Sequence, residues 1–194
     1  MDNISCVLLV LVCVMAQRPS DEERKSITEF HTRVRESVYP YATNMQMMTY
    51  SKKMEDLALE WITHCDTAQP DPTTYPQFRG TTMNIMAVDG TQPVMINAAR
   101  KWDSEKSNYS FYVDNCRGIF HHYKKMVWAT STELGCAMKR CKQLNGNLKT
   151  PVYIVGCAYK SPDYNPYLRP YIQGRSCGRC PRGSKCLRNQ CVIK

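Results

Sequence analysis

His121-His122-Tyr123-Lys124-Lys125-Met126-Val127-Trp128 puts two histidines, two lysines and two aromatics into eight residues. Cys116 precedes the stretch, and Cys136 and Cys141 follow it. Read as a helix, it sets His122, Lys125 and Met126 on one face at three- and four-residue spacing. Tyr123 and Val127 form the neighbouring apolar stripe. Paired histidines can bind a metal or move protons near neutral pH. The plainer reading is a surface histidine beside a packed one, and the stretch alone leaves both open.

Downstream, Leu134–Cys141 and Val152–Tyr159 read as two strands flanking a turn near Asn145-Gly146. Upstream, Asn108–Phe120 is irregular and aromatic, with Tyr109, Phe111, Tyr112 and Phe120. Asn108-Tyr109-Ser110 is an N-glycosylation sequon, which requires an exposed loop. Pro93 starts a helix at its favoured first-turn position, with Val94, Met95, Ala98 and Trp102 as the buried side. Residues 68–80 read as loop, with Pro70, Pro72, Pro76 and Gly80. In the helix before that loop, Met54, Leu57, Ala58, Trp61, Ile62 and Cys65 recur at helical spacing. Its other face carries Lys52, Lys53, Glu55, Asp56 and Glu60. The first helix opens on the capping box Ser20-Asp21-Glu22-Glu23. It continues through Ile27, Phe30, Val34 and Val38 and stops at Pro40. Helices followed by a hairpin predict an α+β domain with a small sheet between helices.

The chain has 194 residues, enough for one domain with a real core. Its 11 cysteines point to an oxidising compartment. Ile4–Met15 is an apolar run too short to span a membrane. Val14-Met15-Ala16 offers a cleavage pattern, so residues 1–16 read as a signal peptide and the mature chain as secreted. Cys6 and Cys13 leave with that signal. The formal net charge is +9, and every charged residue after Asp163 is Lys or Arg. Such a surface seeks acidic partners. No transmembrane span and no nucleic-acid motif is visible.

The histidine stretch resembles the first signature of the CAP superfamily, the cysteine-rich secretory protein, antigen 5 and pathogenesis-related-1 group. That signature runs Gly-His-Tyr-Thr-Gln, two hydrophobics, Trp. His122, Tyr123, Met126, Val127 and Trp128 match it, whereas His121, Lys124 and Lys125 depart. Val155-Gly156-Cys157-Ala158-Tyr159 with Asn165 resembles the second signature. Ile27–Arg35 resembles the family's His-Asn-x-x-Arg helix, with Thr32 in place of Asn. Together they span nearly the whole chain, and the helminth venom allergen-like proteins look most similar. The resemblance implies a CAP-type α-β-α sandwich over residues 17–165. Residues 166–194 resemble the cysteine-rich, basic hinge that follows this domain. Four thiols there (Cys177, Cys180, Cys186, Cys191) suit zinc or two disulfides, and secretion favours disulfides. The resemblance implies Cys177–Cys186, Cys180–Cys191, Cys65–Cys141 and Cys136–Cys157, leaving Cys116 over.

Many CAP proteins hold a divalent metal with two histidines and two glutamates. Carried over by position, His122 and Glu105 remain. Gln69 stands where the other histidine is expected, and Thr82-Met83-Asn84 replaces a Gly-Glu-Asn motif. Two good ligands are too few for zinc, and Gln and Met are poor replacements. The expectation is therefore no metal, no cofactor and no catalytic residue. Ser104 and Ser131 lie near Glu105 and His122 in sequence but in no hydrolase pattern.

What remains is apolar concave surface. Related proteins hold acyl chains between two helices, here lined by Ile27, Phe30, Val34, Val94, Met95 and Ala98. Abundant methionine suits an adaptable channel, or simply fills the core. The loop bearing Tyr109, Phe111 and Tyr112 resembles a sterol-binding, caveolin-like loop, since aromatic faces cover flat rings. The expected function is a secreted, non-enzymatic carrier of sterol such as cholesterol and of a palmitate-like fatty acid. The alternatives are an immunomodulatory module binding host extracellular proteins or acidic surfaces, and a metal-dependent hydrolase.

Overall fold

The computed structural model of the chain describes residues 16–114, 118–142, 144 and 152–193. The expected signal segment up to Met15, Cys116 and the expected turn at Asn145-Gly146 lie outside the described residues. Helix α1 is Asp21–Glu36, β1 Thr49–Tyr50, α2 Lys52–Ile62, β2 Thr81–Asp89, α3 Met95–Ser104 and α4 His121–Met126. They are followed by β3 Glu133–Cys141, β4 Val152–Lys160, β5 Ser184–Leu187 and β6 Gln190–Ile193. One four-stranded sheet has the order β1-β3-β4-β2, and β5 pairs with β6 separately. The main sheet is antiparallel except at β1, which runs parallel to β3.

Side chains alternate across β3 and β4, and this builds the layers. Leu134, Cys136, Met138, Val155, Cys157 and Tyr159 face α1, α3 and α4. Ala137, Cys141, Ile154 and Ala158 face α2. The result is the α-β-α sandwich. Helix α2 can approach the sheet because Gly135 and Gly156 lack side chains. A Cβ on Gly135 would lie 2.0 Å from the Glu55 nitrogen, and one on Gly156 would lie 2.7 Å from Ile62. Met54, Leu57, Ala58, Trp61 and Ile62 are all buried. Each large apolar side chain so buried contributes about 2 kcal/mol.

Helix α1 begins as its sequence dictates. Ser20 accepts from the Glu23 backbone and Glu23 accepts in return, closing the capping box. Arg35, the arginine of the family-like helix motif, is fully buried and has no acidic partner among the described residues. Its guanidinium donates instead to the carbonyls of Gln46, Met126, Trp128, Ala129 and Ser131, at 2.7–3.1 Å. It thereby fixes the turn after α4 and the approach to β1 against α1.

Three expectations need correction. Strand β2 was not foreseen, because Thr81-Thr82-Met83-Asn84 lacks apolar alternation. It forms because all nine of its residues pair along β4. Glu55 was assigned to the solvent face of α2, yet it is fully buried. It accepts from Arg18, Arg24 and Tyr50, so the N-terminal segment, α1, β1 and α2 meet on one carboxylate. Burial alone would raise this carboxyl, but the bonds from Arg24, Tyr50 and Arg18 prevail and hold it at about 2. Val94 was assigned to the buried side of α3. It is the N-cap and is 54% exposed.

Among the described residues four disulfides are present: Cys65–Cys141, Cys136–Cys157, Cys177–Cys186 and Cys180–Cys191. Cys136 and Cys157 are also register partners in β3 and β4. Cys65–Cys141 joins residues 76 apart. A closure of that size contributes on the order of 4 kcal/mol by restricting the unfolded chain. The basic tail is welded to the domain. Arg188, at the β5–β6 turn, bridges Glu29 and Glu36 of α1. Cys191 exchanges backbone bonds with Met45 and Met47.

Candidate functional site

The four positions that would form the family's metal cavity are each already engaged. Glu105 follows α3 directly, and His122 sits in the first turn of α4. The His122 Nδ1 lies 2.7 Å from one Glu105 oxygen. The other oxygen accepts the backbone N–H groups of His122 and Tyr123. Burial pushes the Glu105 carboxyl up, but the His122 ring and these N–H bonds outweigh it and hold it below the ordinary range. Trp102 stacks on His122 with centroids 6.0 Å apart. Gln69 accepts from the Met83 N–H at 3.1 Å, and Asn84 donates to the His122 carbonyl at 2.9 Å.

Lys125 completes this arrangement. It is 8% exposed, and its ammonium donates to the Met83 carbonyl at 2.8 Å. Burial pushes the amine down to about 8, with the Glu105 charge opposing the shift. The residues present do not fit a divalent metal. Both carboxylate oxygens of Glu105 and the Nδ1 of His122 are committed to one another and to the backbone. Gln69 serves β2, Met83 offers no oxygen from its side chain, and a lysine amine shares the site. Among the described residues, the potential ligands that do cluster in threes are Cys177, Cys180 and Cys191, and all are in disulfides.

The hydroxyls near this site in sequence are committed elsewhere. Ser104 donates to the Lys101 carbonyl, and Ser131 is fully buried against Ser161 at 2.6 Å. His31, also fully buried, joins the Ile27 carbonyl to the Tyr159 hydroxyl, which in turn meets Asn84. Burial pushes its imidazole down to about 4, the Ile27 bond opposing and the Arg35 charge adding to the shift.

Of the residues expected to line an acyl channel, Ile27, Val34, Met95 and Ala98 share one buried cluster, with Phe30 packed against it. Val94 stands outside. Helices α1 and α3 are in direct contact there. On another flank of α1, Asp21, Arg24, Lys25, Thr28, Thr32 and Tyr50 line an open groove of about 580 Å³. Nothing in the sequence pattern signals it, because its walls are polar and charged helix positions and one edge tyrosine.

The aromatic loop divides into an inner and an outer part. Tyr109 lies between the rings of Phe120 and Tyr123, at 5.7 and 6.0 Å. Phe111 is buried and stacks on Tyr171, with centroids 4.7 Å apart and planes at 18°. Tyr112 is 59% exposed. The loop is fastened by side chains. Arg169 donates to the carbonyls of Phe111 and Tyr112 at 2.9 and 2.7 Å. Lys124 is fully buried and reaches both Asp114 and the Pro166 carbonyl. The Tyr109 hydroxyl donates to Asp114. The Asn108 amide of the sequon donates to the Ile119 carbonyl. Arg169, Tyr171 and Lys124 were missed as loop supports, since no spacing links them to Phe111.

The sandwich, its cross-strand disulfide and the α4 signature define a class, and the comparisons agree. A model of the cysteine-rich secretory protein family, CAP, matches residues 28–159, and the chain belongs to this family. It is 32% identical to Glioma pathogenesis-related protein 1 of Mus musculus over 171 residues, which cover 87% of this chain and 64% of that protein. It is 28% identical to Peptidase inhibitor 16 of Bos taurus over 89% of this chain, but spans only 36% of that protein. The solved structure of venom allergen-like protein 4 of Schistosoma mansoni is similar at a TM-score of 0.61 and 26% identity. That similarity covers 80% of this chain and 97% of the other.

Proposed function

We propose that this chain is a secreted, non-enzymatic lipid carrier. Sterol binds under the loop of Tyr109, Phe111 and Tyr112, and a palmitate-like acyl chain binds beside α1, between Ile27, Phe30 and Val34 on one side and Met95 and Ala98 on the other. The observation that carries this reading is the Phe111–Tyr171 stack beneath an exposed Tyr112. The two rings cover one another, and a flat ring system takes the place of one of them, or stacks on the outer face, when the loop opens. The loop above them hangs on Arg169 and Lys124 rather than on a backbone ladder, so it opens without unpairing the sheet. The buried cluster that holds the α1–α3 contact also contains Met45, Met48, Met95 and Met126. Unbranched thioether chains repack around an inserted acyl chain at low cost. The closed His122–Glu105 pair and the committed Ser104 and Ser131 support a role without catalysis. Asn108 carries a glycan at the margin of the loop.

The test is equilibrium binding of labelled cholesterol and labelled palmitate to the glycosylated, secreted protein, each challenged with the other lipid unlabelled. Saturable binding of both without mutual competition supports two separate sites. Full mutual competition reduces them to one, and no saturable binding of either leaves the fold as a protein-binding module.

A further inference from the structure

Two groups of exposed apolar side chains lie on the segment 166–174, a run of turns and bends. At its start, Tyr167 is 88% and Leu168 56% exposed. They lie beside Tyr112 and Val113, because Arg169 reaches across to the Tyr112 carbonyl. At its end, Ile172 is exposed and its carbonyl accepts from Thr43, which brings Tyr41 alongside. The Gly174 N–H closes the same contact by donating to the Tyr41 carbonyl. Leu168 and Ile172 are four positions apart, so at most about 13 Å of chain separates them and the two groups adjoin.

The charged residues of this segment and of the tail after it are all basic. Arg169 lies between the groups, and Arg179 donates its N–H to the Thr43 carbonyl, which keeps the following basic residues close to Tyr41. Arg169, Arg175 and Arg179 are all exposed. No acidic residue follows Asp163. The nearest carboxylate in the loop, Asp114, is paired with Lys124. Tyrosines with a hydroxyl at the water boundary, small aliphatic groups between them and a surround of arginine are what an anionic membrane interface receives. A protein partner would have to set an acid against each arginine. A lipid surface supplies diffuse negative charge and needs no such match.

We propose that this side is a membrane-docking face for anionic phospholipid, with Tyr112, Val113, Tyr167, Leu168 and Ile172 entering the headgroup region and Arg169, Arg175 and Arg179 meeting lipid phosphates. It deepens the carrier reading, because Tyr112 is both the lip of the proposed sterol loop and part of the face. It does not require bound sterol. Docked this way, the loop opens toward the bilayer rather than toward water.

Flotation of the full secreted protein with sterol-free vesicles tests it. Phosphatidylcholine vesicles with and without phosphatidylserine are compared, at low and high salt. The wild type floats with phosphatidylserine vesicles, less at high salt, and hardly at all with phosphatidylcholine alone. Tyr167→Ser with Leu168→Ser weakens flotation about tenfold, and Arg175→Gln with Arg179→Gln removes most of the phosphatidylserine preference. These side chains are exposed, and detergent-phase cholesterol binding by the same variants stays at the wild-type level. Wild-type protein that stays in solution with both vesicle types overturns the proposal, as does undiminished flotation of the variants. Vesicle-free self-association abolished by Tyr167→Ser with Leu168→Ser also overturns it, assigning the face to a second copy. Protein that floats but binds no cholesterol upholds the face and sinks the carrier reading, and the converse result sinks the face alone.

Discussion

The ammonium of Lys125 donates to the main-chain carbonyl of Met83 at 2.8 Å, beside the closed pair of Glu105 and His122. A position that could have received a carboxylate is an apolar side chain, and its backbone oxygen receives a lysine. The site carries its own cation.

Lys125 makes stability depend on alkaline pH. Its folded value of about 8 lies below the ordinary 10.5. Between these values the unfolded chain binds more protons than the folded one, so stability rises as pH rises from 8 to 10.5. The span is worth up to about 3 kcal/mol. Denaturant unfolding of the wild type should show this rise, and Lys125→Met should lack it. Equal slopes in the two proteins would count against a buried ammonium.

His31 sets the acid side. Its folded value of about 4 lies below the ordinary 6.5, so stability falls as pH drops from 6.5 to 4 by about 3 kcal/mol. Glu55 and Glu29, both held at about 2 against an ordinary 4.5, add a second loss as pH falls from 4.5 to 2. Unfolding midpoints measured against pH should drop in these two stages, and His31→Gln should remove the first. A flat profile between 6.5 and 4.5 would contradict the buried, neutral imidazole.

Glu55→Gln should destabilise the fold by roughly 3 kcal/mol, because it leaves Arg24 and Arg18 facing a neutral amide at a buried position. The sandwich should persist by circular dichroism while the thermal midpoint falls. A midpoint within a degree or so of the wild type would mean the arginines find other partners.

Much of the fold is legible from periodicity. The α1 capping box, the apolar face of α2 and the β3–β4 pair lie where spacing places them, because propensity and burial agree there. Strand β2 is not legible, since its identity comes from pairing with β4 rather than from its own residues. Glu55 reads as solvent-facing because α2 looks amphipathic. Only the bare backbone of Gly135 brings that turn of the helix onto β3 and buries the carboxylate. The candidate sites divide the same way. Glu105 and His122 follow from the family signature, whereas the Phe111–Tyr171 stack joins residues 60 apart in sequence through contacts no local pattern encodes.

Arg188 reports on the tail. Among the described residues it alone ties the β5–β6 turn to Glu29 and Glu36 by charge. Arg188→Ala should speed amide hydrogen exchange in Gln190–Ile193 and leave β3 and β4 unchanged. Unaltered exchange in the tail would assign its docking to the Cys191 backbone bonds with Met45 and Met47.

The central claim is a sterol seat under the aromatic loop, and the most direct measurement is saturation binding of labelled cholesterol to wild type, Phe111→Leu and Tyr112→Ser. Saturable binding by the wild type that weakens about tenfold in Phe111→Leu, where one stacked face is lost, and changes little in Tyr112→Ser is the predicted result. No saturable binding by the wild type, or binding indifferent to Phe111→Leu, would contradict it.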